Sequence, residues 1–161
     1  MLLRVYCISV DIVRLSASGN DGDNMYRFLD ERIAALDDGA RFTVEAIRLW
    51  VSAVAERKCP ADAITPLFLD RRMIAALAPF HRALTLLAVH ARIQIGFAQS
   101  CCPVVAEGEA LFLSLLDRDS DRMNVCEAAV SSPHAERLCR SIMELEAAMQ
   151  IAGLAPGPAR R

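Results

Sequence analysis

Phe80-His81-Arg82-Ala83-Leu84-Thr85-Leu86-Leu87-Ala88-Val89-His90 is apolar nearly all round the helical wheel. A helix without a polar face is a buried, central one. Pro79 suits its first position, where a missing N–H costs nothing, so the element is expected over about 79–92. His81 and Arg82 interrupt the apolar run 73–91, and a membrane span needs about 20 apolar residues. This helix is therefore expected to sit in a protein core, with the other elements packed round it.

Toward the N-terminus, Asp70 is placed to cap a short helix over about 71–78. Pro60 opens another, cut short by Pro66. Val44, Ile47, Val51 and Val54, with Trp50 beside them, form the apolar face of a helix over about 44–58, with Thr43 as N-cap. Arg57 and Lys58 close it against the helix dipole. Met25, Leu29, Ile33 and Leu36 recur at helical spacing and predict a helix over about 24–36, capped by Asp23 or Asn24 and stopped by Asp37-Asp38-Gly39.

Toward the C-terminus, Ile93-Gln94-Ile95-Gly96-Phe97 alternates with period two, as a short strand or an extended loop would. Pro103 is expected to open a helix over about 104–117, with Val105, Phe112, Leu115 and Leu116 inward. A polar break, Asp117 to Asp121, precedes a shorter helix over about 121–130. The last helix starts at Ser132-Pro133 and ends at Gly153. Its apolar residues, Ala135, Leu138, Ile142, Leu145, Met149 and Ala152, follow a heptad seam, which suits bundle packing or a dimer interface.

The fold class expected is all-α: five to seven helices round the helix at 79–92. The 161 residues suffice for a single core. Hydrophobic residues make up 54% and mean hydropathy is +0.28, while aromatics are only 6%. Such a core is built of Ala, Leu, Ile and Val, and the apolar excess fits burial against a partner. Residues 25–153 are expected as one helical domain and 154–161 as a disordered tail. Residues 1–24 have two readings. They are an extension, disordered or not native, ahead of a true start at Met25; or they hold a short strand or arm, Val5 to Val10, able to pair with 93–97. Arg4, Asp11 and Arg14 argue against a signal peptide there, and the cytoplasm is the default location.

The net charge of −2 supplies no field for nucleic acid or an anionic membrane. Lys58 is the single lysine. An arginine-rich basic set suits bidentate ion pairs, but a GC-rich coding bias explains it equally well and is preferred. No phosphate-binding glycine loop, nucleophile elbow or di-iron pattern occurs. Catalysis is therefore not expected.

The cysteines at 7, 59, 101, 102, 126 and 139 are read as reduced thiols. Cys59-Pro60 and Cys102-Pro103 both fall at expected helix starts, where the dipole favours a thiolate. Cys59, Cys101 and Cys102, with His81, could form a soft-ligand cluster for zinc, or a thiol site, if the fold joins them. Otherwise they are small buried hydrophobes and no cofactor is expected. His134 is expected to be exposed. The function expected is that of a small cytoplasmic interaction or regulatory protein that self-associates through the 135–152 seam or binds a protein partner. The alternative is a metal-binding or thiol-redox protein built on the two Cys-Pro turns.

Overall fold

The computed structural model describes the backbone of Val5–Tyr6 and residues 27–93, 95–117 and 121–156. It is an all-α bundle, with α1 (Asp38–Ala55), α2 (Pro60–Asp70), α3 (Ile74–His90), α4 (Glu107–Leu116), α5 (Arg122–Ala129) and α6 (Ser132–Ile151). One short parallel pair joins β1 (Val5–Tyr6) to β2 (Phe97–Ala98), with Val5 opposite Phe97 and Tyr6 opposite Ala98.

The helix expected at 24–36 is not formed over its described part, 27–36. A turn there carries Asp30 at φ 63° and leads to a single 3-10 turn, Ile33–Ala35. The chain instead lies antiparallel against 103–105. Ile33 N–H donates to the Pro103 carbonyl (2.9 Å), Asp30 N–H to Val105 (3.1 Å), and Val105 N–H to Glu31 (2.9 Å). The same pairing shows why Pro103 does not open a helix: residues 103–105 are extended, and α4 begins only at Glu107. Two segments with modest helical prospects satisfy each other's backbone groups instead, which a short isolated helix does poorly.

Asp37-Asp38-Gly39 starts a helix rather than stopping one. Asp37 accepts the Ala40 N–H at 2.8 Å, and Asp38 lies in the first turn, where the dipole favours a carboxylate. Thr43, expected as the N-cap, lies inside α1 and donates its hydroxyl to the Gly39 carbonyl (2.8 Å). Gly39 is needed for packing: a Cβ there would overlap the Leu154 carbonyl and come within 2.9 Å of Pro156 N. Leu154 and Ala155 pack against the core, so the expected disordered tail is docked at least to Pro156. Residues 157–161, like most of 1–24, lie outside the described set.

Pro66 and Pro79 break neither α2 nor α3. Each deletes one hydrogen bond, to the carbonyls of Asp62 and Ala75. Both carbonyls belong to exposed first-turn residues, where water can replace the lost donor. The elements expected at 71–78 and 79–92 thus merge into α3. The turn before it places Arg72 at φ 56° and Met73 N–H on the Phe68 carbonyl (2.8 Å).

α3 is central, packed on α2 and α6, but it buries one face only: Ala76, Phe80, Ala83, Leu84, Leu86 and Leu87 point inward while Ile74 and Val89 lie exposed. Burial all round belongs to α4, where every residue from Gly108 to Leu116 is buried. Phe42, Phe68, Phe80 and Phe112, from α1, α2, α3 and α4, touch in sequence with centroids 5.1, 5.2 and 5.4 Å apart. Such tilted and edge-on contacts are the favoured aromatic geometry. α6 runs antiparallel to α3: Arg82 pairs with Glu144, and His90 stacks on His134 at the other end. Pro133 and Gly153 (φ 70°) bound α6 as expected, with Ser131, one residue earlier than Ser132, as N-cap.

Candidate functional site

The most elaborate polar arrangement among the described residues centres on Arg48 of α1. Its Nε donates to Glu109 Oε1 at 2.8 Å and its Nη2 to Glu109 Oε2 at 3.0 Å, a bidentate pair. Nη1 also donates to the Cys102 carbonyl (2.6 Å) and Nη2 to the Val104 carbonyl (2.8 Å). Glu109 Oε2 accepts the Ala106 N–H at 2.9 Å, which satisfies a free donor at the start of α4. Both side chains are buried, Glu109 completely. One guanidinium thus ties α1 to the 102–104 loop and to α4. Two more arginines hold the other end of α4: Arg27 pairs with the α4 C-cap Asp117, and Arg122 Nε donates to the Leu115 carbonyl (2.7 Å) and its Nη2 to Glu146 (2.7 Å).

Beside this node lies a cleft of about 510 Å³ between α1 and the loop after β2. Val51, Ser52 and Glu56 line one wall, and Ala98, Gln99 and Cys101 the other. Hydrogen bonds from Lys58 and Ser52 hold the Glu56 carboxyl below its usual range. Arg48 forms the floor, but its donors are already directed at Glu109 and two carbonyls. It therefore acts as a latch rather than as an anion receptor.

Of the four residues proposed for a metal or thiol site, no three are grouped so as to hold a metal ion. Cys59 is exposed at the start of α2, and Cys101 is exposed on the cleft rim. Cys102 is half-buried, with its thiol directed at the Val104 carbonyl (3.6 Å). It does not stand at a helix start, so the dipole argument applies to Cys59 alone. His81 Nδ1 accepts the Trp50 indole N–H at 2.9 Å, which makes that nitrogen an acceptor within the α1–α3 packing. Among the described residues, no three His, Cys, Asp or Glu side chains are grouped to hold a metal ion.

The residues expected as an interface are also placed differently. Ala135, Leu138, Ile142, Leu145 and Met149 are buried in the chain's own core, on the side of α6 that meets α3. Only Ala152, just past the last turn, is exposed. The heptad spacing is real, and within the chain it packs against α3.

Two clusters escaped sequence reasoning. His134, expected to be exposed, is half-buried and stacked on His90, with centroids 3.5 Å apart and planes 12° apart. Burial, then His90 and Arg137, depress its pKa below the ordinary 6.5. Cys126 and Cys139 meet between α5 and α6, where burial and the neighbouring thiol push Cys126 up to about 12. Comparison with protein-family models, curated proteins and solved structures finds no match for this chain. The functional reading therefore rests on these surfaces and clusters.

Proposed function

We propose that this chain is a small cytoplasmic interaction protein without catalytic activity, and that it self-associates through the outer face of α3 and α6. The observation that carries the reading is the composition of that face. Ile74 is 52% exposed and Ile151 90%, and the antiparallel course of the two helices puts them at the same end. Ala78 and Ala147 are exposed between that end and the Arg82–Glu144 pair. Small residues let helices approach closely, and apolar residues at the end supply the driving force. A two-fold axis across such a face would bring the same helices of two copies together. The self-association expected from the sequence thus moves from the inner seam of α6 to its outer side. No helix among the described residues is long and apolar enough to cross a membrane.

Sedimentation velocity over a range of concentrations tests the reading. A species of twice the 17.6 kDa chain mass is expected. Ile74→Glu combined with Ala78→Glu should return it to the monomer with the helical spectrum intact. A clean monomer at every concentration, or a dimer that this double variant leaves unchanged, refutes the proposal.

A further inference from the structure

His90 closes α3 and His134 stands in the first turn of α6, with the two rings face to face and their centroids 3.5 Å apart. Backbone ties secure the same spot. Ser131 N–H donates to the His90 carbonyl (3.1 Å), Ala91 bridges Val130, and Arg92 N–H donates to the Ala129 carbonyl (2.9 Å). The turn from α5 into α6 is thus fastened to the end of α3, with the stack beside it.

Two neutral imidazoles stack without penalty, but two imidazoliums at this separation repel. Position adds to the cost. A helix N-terminus disfavours a cation, and α6 has no carboxylate in its first turn to offset one. His134 Nδ1 is sealed from solvent and has no hydrogen-bond partner among the described residues. A neutral ring can leave that nitrogen bare, whereas a cation makes it a buried donor with nothing to accept its proton. The segments meeting here also bring Arg92 after α3, Glu127 from α5, and Glu136 and Arg137 from α6, all exposed. Burial, then His90 and Arg137, hold the His134 pKa below its ordinary value.

We propose that the His90–His134 stack is an acid-sensitive clasp, closed while the rings are neutral and released when both carry protons. Release lifts the α5–α6 turn from the end of α3. It uncovers Val130, which is fully buried and bridged to Ala91, beside Val89 and Ile93, which are already exposed. The acid form thereby offers an apolar patch that the neutral form hides. The clasp lies at the opposite end of the α3–α6 pair from Ile74 and Ile151, so it is independent of the outer-face dimer and neither proposal requires the other.

Amide hydrogen exchange on the full chain tests this at pH 7.5 and 5.5, with rates corrected for the intrinsic effect of pH. Protection of the Arg92 and Ser131 amides should fall by about tenfold at the lower pH, as proton uptake by the opened state favours opening. Trp50 and Val51, in α1, should keep theirs. His90→Phe keeps a ring in the stack that takes up no proton, and His134→Gln removes the other titrating ring. Each should abolish the fall at Arg92 and Ser131, and circular dichroism checks that each is folded. If Arg92 and Ser131 stay protected at pH 5.5, the proposal is overturned. The same follows if α1 loses protection in step with them, or if either folded variant retains the fall.

Discussion

At the start of α4, Arg48 directs its nitrogens at a carboxylate and two backbone carbonyls. Along α6, Leu138, Ile142 and Leu145 are equally buried and have only apolar neighbours to gain from. The seam is stabilised by removing apolar surface from water and tolerates small adjustments at modest cost. The node gains little net energy, because removing two charges from water offsets most of their attraction. What it gains is definition: a bidentate pair and two carbonyls permit one placement of the 102–104 loop. Breaking half of it strands a buried charge, whereas trimming the seam leaves only a cavity.

The largest effect should therefore come from the node. Glu109→Ala leaves Arg48 buried without its counter-charge and should cost about 3–5 kcal/mol, measured by urea denaturation. Replacing both partners, Arg48→Met with Glu109→Leu, should be much milder than that single change. If the double variant were the worse one, the pair would be a net source of stability and the contrast would fail. In the seam, Leu138→Ala should cost about 2–5 kcal/mol through lost burial and the cavity left behind. It should not alter the assembly state, because Leu138 faces α3. A change in sedimentation with Leu138→Ala would reinstate the inner seam as an interface.

The smallest effect should come from His134, at the end of the α3–α6 contact. Its pKa is depressed in the folded chain, so on acidification the unfolded chain takes up this proton first. Its contribution to stability is complete above pH 6.5 and is lost as the pH falls below that value. Denaturation midpoints at pH 7.5 and 5.5 should differ by less in His134→Gln than in the unmodified chain. An equal difference in the two would remove His134 from the account.

The apolar half of this contrast was legible in the sequence, since spacing along α6 and the inward residues of α4 need only a count of positions. The capping of α1 by Asp37 was misread because Asp-Asp-Gly suits a helix end as well as a start, and position alone does not decide. The prolines misled because a single lost hydrogen bond near an exposed first turn is affordable. The helix at 24–36 failed because its competitor, 103–105, lies far away in the chain. The node did leave a mark. Arg48 stands four after Val44 and three before Val51, on the apolar face of its helix, and Glu109 stands likewise between Val105 and Phe112. Two opposite charges on two buried faces imply each other, and the arginine-rich composition assigned to coding bias here has a structural use. The zinc cluster was illegible in another way. Whether Cys59, His81 and Cys101 meet depends on where the helix ends fall, and Cys126 with Cys139 required knowing that α5 turns back on α6.

Trp50 is the single tryptophan of the chain, nearly sealed from solvent, and its indole donates to His81 across the α1–α3 contact. The molecule thus carries one intrinsic fluorophore at the junction of two of its helices. Its emission should lie to the blue and resist a dissolved quencher while that junction is closed. A shift to the red would signal separation of α1 from α3, even where helix content is unchanged.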